Sequence, residues 1–275
     1  MIKSVAIQGV QGSFHHIVAK NYFGDTVVLN ECLSFDKAVD TLLSGQADAV
    51  VMAIENSIAG SIIPNYALID GHNLHIVGEY YLDIQHHLMA LPGQSIEDIN
   101  EVCSHPMALL QCKAFLKQYP HIKLVEDKDT AEVAKRIQQN QLKGVAAIGS
   151  YLAANLFELN IMARSIQTIK HNETRFVIVK RENHEIPMEE INKASIKFQL
   201  EHKRGSLATI LNVMSDCKLN LTKIQSLPKI ETPWKYAFFV DVTFNDYNDF
   251  EKAQSIIKIM AEDFKVLGQY KQARS

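Results

Sequence analysis

The feature that most restricts how this chain can fold is the regular exchange of short apolar runs with capped, helix-forming stretches through its N-terminal half. Ser4 to Gln8 reads as a strand, the loop Gly9-Val10-Gln11-Gly12 follows, and a helix opens at about Phe14. Thr26 to Cys32 is a second strand, Ser34 caps a helix that ends at Gly45, and Ala49 to Ile54 is a third strand. Each helix returns the chain to begin another strand, which predicts a parallel sheet covered by helices. Ligands of such sheets bind at the carboxyl ends of the strands. Two of those ends carry small polar residues: Gly9-x-x-Gly12-Ser13, and Glu55-Asn56-Ser57-Ile58-Ala59-Gly60-Ser61. Both offer backbone N–H groups to whatever sits above the sheet edge. Simple helix capping accounts for either loop taken alone. The first lacks the third glycine of a dinucleotide fingerprint and has no Walker lysine, so it does not read as a nucleotide site.

From His75 to Leu91 the chain reads as an extended crossing into a second α/β unit. There Val102-Cys103 is a short strand and Ser104-His105-Pro106 starts a helix, with proline near N1 where its missing N–H costs nothing. Asp129-Thr130-Ala131-Glu132 has capping-box spacing, Val145 to Ile148 is a strand, and Ser150 caps a helix from Tyr151 to Leu159. Ile166 to Phe176 then brings the chain back. A lobe entered once and left once has two crossing segments, which form a hinge beside a cleft. The return crossing carries His171-Asn172-Glu173-Thr174-Arg175-Phe176, a hydroxyl, a permanent cation and an aromatic ring at the mouth of a strand. On a strand, Thr174 and Phe176 share one face and Arg175 takes the other.

Glu182 to Lys193 is polar and reads as a linker. Beyond it the pattern is strand (Ile196 to Glu201), helix (Ser206 to Asp216), strand (Leu221 to Ser226), strand (Tyr236 to Phe244), helix (Asn248 to Phe264) and strand (Val266 to Tyr270). That order is the ferredoxin-like βαββαβ motif. A module this small gains buried surface by pairing with a second copy, so a homo-oligomer is expected.

Composition excludes several classes. At 275 residues, 47% of them hydrophobic and only 7 of them proline, the chain is a folded protein of two domains or one large bilobed unit. No apolar run is long enough for a membrane span. The start enters a strand directly without a signal-peptide pattern, so a cytoplasmic location is expected. Cys32, Cys103, Cys112 and Cys217 form no Cys-x-x-Cys pair and read as free thiols. The net charge is −3, acidic residues being in excess up to residue 194 and basic ones beyond it. Neither part has the concentrated basic run of a nucleic-acid-binding surface. No Lys or Arg stands between Lys37 and Lys113, so an anion lying there must be held by neutral donors and helix N-termini.

Taken in order, Gly9-x-x-Gly12-Ser13-Phe14, Glu55-Asn56-Ser57-x-x-Gly60, Ser104-His105-Pro106, Asp129-Thr130-Ala131, Ala147-Ile148 and Thr174-Arg175-Phe176 closely resemble prephenate dehydratase. Gly205-Ser206-Leu207 and Asn220-Leu221-Thr222-Lys223-Ile224 resemble the ACT regulatory domain of bacterial members. The resemblance implies an α/β catalytic domain at 1–182, two-lobed like a periplasmic binding protein (lobe 1 at 1–79 and 169–182, lobe 2 at 80–168), a linker at 183–193, and a ferredoxin-like ACT domain at 194–275. It implies a cofactor-free, metal-free lyase that converts prephenate to phenylpyruvate with loss of carbon dioxide and water, in phenylalanine biosynthesis.

The roles that follow from the resemblance are these. Thr174 assists the departing hydroxyl. Arg175, Phe176, Asn56, Ser57, Ser13, Ser104 and Asn172 bind substrate, while Glu55, Gly12, Gly60 and His105 orient the site, His105 reading first as a cap. Phenylalanine as effector would meet Gly205, Ser206, Leu207, Asn220 and Leu221 between paired ACT modules of a homodimer or homotetramer. The sequence departs from the family at Ser13 (usually threonine), at Val10 (usually proline) and at Gln225-Ser226-Leu227-Pro228 (usually Glu-Ser-Arg-Pro). The last change removes two charges near the effector site and leaves the strength and direction of regulation open. Arogenate dehydratase, and a non-catalytic amino-acid sensor built from a binding domain and an ACT module, are the alternatives.

Overall fold

The computed structural model of the protein describes residues 2–183, 186–228 and 236–274. The expected linker falls partly outside them, at His184 and Glu185. Packing divides the chain into two compact units. The first runs to Gly60 and resumes from Tyr80 to Phe176, and the second holds Ser61–Glu79 and the chain from Val177 onward.

In chain order the structure opens with β1 (Ser4–Gln8), α1 (Phe14–Phe23), β2 (Val28–Cys32), α2 (Phe35–Leu43) and β3 (Ala49–Asn56), then the two-residue β4 (Gly60–Ser61), α3 (Ile63–Gly71) and β5 (His75–Asp83). β1 pairs parallel with both β2 and β3. Its centre, Val5, Ala6 and Ile7, is fully buried, as are Val50, Val51 and Met52 beside it. Near-continuous apolar runs of this kind belong to strands covered on both faces. Ser13 and Ser34 cap α1 and α2 by accepting from the backbone N–H three residues on, as their spacing predicts.

The second lobe contributes β6 (His87–Ala90), β7 (Glu101–Ser104), α4 (Pro106–Gln111), α5 (Lys113–Leu116), β8 (Lys123–Glu126), α6 (Thr130–Gln139), β9 (Val145–Gly149), α7 (Tyr151–Leu156) and β10 (Asn160–Ala163). The sheet runs β10-β6-β9-β7-β8 and is mixed, with β7 parallel to β8 and β9, and β6 antiparallel to β9 and β10. Alternation divides its residues between two cores. Leu88, Val102, Ala146 and Ile148 meet α4 and α5, whereas Met89, Cys103 and Ala147 meet α6 and α7. The chain leaves this lobe into β11 (Glu173–Lys180), which lies between β3 and β5 in the sheet order β2-β1-β3-β11-β5. The two crossings are laced together: Ile84 N–H donates to Asn172 O (2.6 Å), Ile166 N–H to His86 O (2.8 Å), and His86 N–H to the Gln167 side chain (3.1 Å).

The rest of the second unit is β12 (Lys193–Gln199), α8 (Ser206–Asp216), β13 (Asn220–Pro228), β14 (Tyr236–Thr243), α9 (Tyr247–Met260) and β15 (Asp263–Tyr270), in an antiparallel sheet of order β13-β14-β12-β15. That is the ferredoxin-like order read from the sequence. One expected element is shortened, because Ala261 turns extended (φ −90°, ψ 146°) and releases Phe264 into β15, where it pairs with Phe198.

Packing assigns the chain differently from the expected domain limits. Ser61–Glu79, read as part of lobe 1, packs with the C-terminal sheet. The Tyr66 and Phe239 rings lie 5.3 Å apart, Asp70 pairs with Lys197 (2.8 Å) and Lys265 (3.1 Å), and Glu79 pairs with Lys193 (2.8 Å). A side chain at Gly268 would have its Cβ 2.0 Å from the Ile76 carbonyl oxygen, so two backbones touch there. Alternation on β12 explains the double burial: Ala194, Ile196 and Phe198 face the helices, and Lys193, Ser195 and Lys197 are buried on the other side.

Candidate active site

The end of β3 brings Asn56 to the start of β11. Asn56 Oδ1 accepts from the backbone N–H groups of Ile58 (3.0 Å) and Ala59 (2.9 Å), and this fixes which way the amide points. Its Nδ2 group then donates to Thr174 Oγ1 (2.9 Å), Asn172 Oδ1 (2.8 Å) and Glu173 O (3.2 Å). Thr174 is buried, and its oxygen is an acceptor in this arrangement, so its own proton is free to be given elsewhere. Asn172, fully buried, passes the pattern on by donating to Gln111 Oε1 (2.8 Å) at the end of α4. Ser57 ties the same corner from outside: its N–H donates to Glu173 O (2.8 Å) and its hydroxyl accepts from Glu173 N–H (3.0 Å).

The loop after β1 is the second wall. Gly9 and Gly12 have φ of +93° and +91°, conformations that favour glycine. Gln11 N–H donates to Glu31 (3.0 Å) and Gly12 N–H to His16 Nδ1 (2.9 Å), while Ser150 of the second lobe donates to Gly12 O (2.6 Å). A Cβ on Gly12 would lie 2.9 Å from Ala153 Cα, and one on Gly9 would lie 2.5 Å from Asp129 Oδ2. The glycines therefore let the first lobe meet the N-terminal ends of α6 and α7. Burial raises the carboxyl of Asp129 above its usual range, against the two backbone N–H groups that it caps.

The remaining expected residues have these places. Arg175 is 5% exposed, a buried cation that alternates with Thr174 along β11. Phe176 is buried under the site, its ring 5.1 Å from that of His15. Burial lowers the His15 imidazole to about 4. Ser13 is buried and caps α1. Ser104 is fully buried and gives its proton to Ile148 O (2.7 Å), which leaves only its lone pairs for a ligand. His105 is exposed and caps α4, accepting from Met107 N–H (3.2 Å). Glu55 is half-buried at the end of β3, and Gly60 has a φ of +82° with open space around it. Sequence reading missed Gln111 and His86, whose only signal was a polar residue closing an apolar helix and a histidine in a crossing.

In the second unit, Ser206 and Leu207 line a cavity of about 180 Å³ with His202, Lys203, Tyr236 and Phe238. Gly205, in the left-handed region at φ +84°, begins α8 beside them. Asn220 and Leu221 open the edge strand β13 and do not line that cavity. Among the described residues no group of three or more His, Cys, Asp or Glu is arranged to hold a metal ion, and no helix is long and apolar enough to cross a membrane.

The family model for prephenate dehydratase matches residues 5–184. An arogenate dehydratase/prephenate dehydratase of Arabidopsis thaliana is 37% identical over 97% of this chain and 72% of its own length. A bifunctional chorismate mutase/prephenate dehydratase of Enterobacter agglomerans is 31% identical over 97% of this chain and 70% of its own. The crystal structure of an Arthrobacter aurescens prephenate dehydratase in complex with L-Phe superposes with a TM-score of 0.89 at 26% identity, covering 98% of this chain and 90% of that one. The chain belongs to the prephenate dehydratase family.

Proposed function

We propose that the protein eliminates water and carbon dioxide from prephenate to give phenylpyruvate, with Thr174 as the proton donor. The observation that supports this reading is the fixed polarity at Asn56. Its amide donates to Thr174 Oγ1, so that oxygen accepts there and its own proton is left for another acceptor. Prephenate loses its ring hydroxyl as the ring becomes aromatic, and the C–C bond to the ring carboxylate breaks to supply the electron pair. The hydroxyl leaves as water by taking one proton, which Thr174 gives and solvent restores. A threonine is a weak acid in water, yet a donor held in place in a dry cleft stabilises the developing hydroxide as it forms. Asn56, Ser57, Asn172, Ser13 and Ser104 shape and line the region in which the dianion is oriented, without a Lys or Arg between 38 and 112.

The test is phenylpyruvate formation by the wild type beside Thr174→Ala. An inactive wild type removes the reading, and a fully active variant removes Thr174 from it. Running arogenate in parallel decides between the two substrates that the names of the relatives carry, because arogenate would yield phenylalanine directly.

The same reading gives the C-terminal unit the role of an ACT domain that binds phenylalanine, at 194–275. The cavity beside Gly205, Ser206 and Leu207 supports this, with apolar rings for a side chain and a helix N-terminus for a carboxylate. Pairing through a second copy would bury Leu221 and Ile224, which the edge strand β13 leaves exposed. A homo-oligomer in the cytoplasm, with its cysteines free, completes the reading. Calorimetry with phenylalanine and sedimentation of the full chain test these two parts.

A further inference from the structure

We infer that His86 is a positioning residue for the dehydratase reaction, acting on Thr174 through Gln111, Asn172 and Asn56. The inference rests on the function proposed above and begins at two backbone amides. Ile58 and Ala59 N–H fix Asn56 Oδ1 as an acceptor, so Asn56 Nδ2 must face Asn172 Oδ1. Asn172 therefore presents its Nδ2 to Gln111 (2.8 Å), and the Gln111 atom that receives it is the oxygen, Oε1. His86 Nε2 lies 3.0 Å from that same oxygen. An oxygen with no proton can only accept, so His86 must carry its proton on Nε2. The polarity of four side chains, from the end of β3 to the outbound crossing, is thus set by geometry and ends on one tautomer of one histidine.

Packing alone does not explain this ring. His86 is 4% exposed, its backbone is held by Gln167 and Ile166, and its Nδ1 atom is buried without a hydrogen-bond partner. An unsatisfied buried nitrogen is destabilising, and an apolar ring of similar size beside Phe14 would avoid it. What the imidazole provides that an apolar ring cannot is the Nε2–H donor. It gives Gln111 Oε1 a second hydrogen bond and so holds the amide whose oxygen anchors Asn172. The Gln111 side chain extends from the second lobe, Asn56 and Thr174 belong to the first, and His86 and Asn172 sit on the two crossings. The chain of bonds therefore couples the placement of the lobes to the direction of the Thr174 proton.

The test uses the full chain, with steady-state kinetics on prephenate and thermal unfolding for each variant. His86→Phe removes the donor and keeps the ring volume; it is expected to lower kcat roughly tenfold, the loss of about one hydrogen bond's worth of placement, with little change in KM. His86→Gln returns an N–H near the position of Nε2 and is expected to recover most of that loss. In a Gln111→Leu background, His86→Phe should produce no further loss, since the path runs through Gln111. Wild-type kcat in His86→Phe, equal impairment of both His86 variants, or additive loss in the double variant would overturn the inference. A nitrogen-15 spectrum of the wild type reads the tautomer without turnover. The Nε2–H form with bare Nδ1 is expected, and a proton on Nδ1 at neutral pH would overturn the inference even if the enzyme reading stands. Failure of the dehydratase reading shows instead as an inactive wild type.

Discussion

Asn56 and Thr174, separated by 118 positions in the chain, meet at 2.9 Å with the amide as donor. Thr174→Ala removes the proton donor and is expected to reduce kcat by roughly 10²–10⁴-fold, the usual range for a positioned acid. Asn56→Asp is the sharper probe. A carboxylate still accepts from Ile58 and Ala59 but cannot donate, so the Thr174 hydroxyl would turn back to bond the carboxylate. A kcat loss approaching that of Thr174→Ala is expected, with a lower melting temperature because the carboxylate also faces Asn172 Oδ1 and Glu173 O without a proton; unchanged kcat would contradict the polarity argument.

Gly12 and Gly60, from different site loops, separate backbone strain from contact. Gly12→Ala meets Ala153 and also sits at φ +91°, whereas Gly60→Ala, at φ +82°, meets nothing within 4 Å. Both substitutions should cost about 1–3 kcal/mol of stability through the backbone alone. Only Gly12→Ala should also lower kcat/KM strongly, by at least tenfold, because it forces the β1 loop away from α7. Urea unfolding and steady-state kinetics on the two variants measure the difference.

Most strands, the helix caps and the βαββαβ order were legible because they are local, β8 and β10 being the strands not read: Ser13, Ser34, Asp129 and Ser150 each act on a backbone N–H two or three residues away. Asn56 and Thr174 could be named, but the bond between them belongs to the tertiary structure. Lys193, Ser195 and Lys197 alternate with apolar residues on β12 and so imitate a solvated face. They are nevertheless 4–8% exposed, since Glu79 and Asp70 arrive from a segment more than a hundred residues earlier. The same contacts group Ser61–Glu79 with the C-terminal sheet, while β5 keeps its place in the order β2-β1-β3-β11-β5. Gln111 and His86 were missed because their importance lies in an order of donors and acceptors that no spacing encodes.

Acid should destabilise the protein through two rings. His15 and His86 are each lowered to about 4 from 6.5, chiefly by burial. A histidine whose folded pKa is depressed contributes its stability in full above pH 6.5 and loses it as pH falls toward 4, because the unfolded chain takes up the proton first. The loss is on the order of 3 kcal/mol for each ring. His15→Leu keeps an apolar group against Phe35 and Phe176 and should flatten this limb. Urea midpoints at pH 7 and pH 4.5 should therefore move closer together in the variant than in the wild type, and an unchanged gap would remove His15 from the acid response.

Lys193 and Glu79 form a buried ion pair at 2.8 Å, with side chains 5% and 1% exposed, and Glu79 also accepts from Ala273 N–H (3.1 Å). Breaking a buried ion pair by removing one partner typically costs about 3–5 kcal/mol, so Lys193→Met is expected to destabilise the protein by about that much. Replacing both groups by apolar ones of similar volume removes the desolvation cost along with the attraction. Lys193→Met with Glu79→Leu should therefore be clearly more stable than Lys193→Met alone, a coupling of opposite sign to simple additivity. Urea unfolding of the wild type, the two single variants and the double variant measures it. A double variant as unstable as the sum of the singles would mean that the two side chains act separately on the packing of Ser61–Glu79 against the C-terminal sheet.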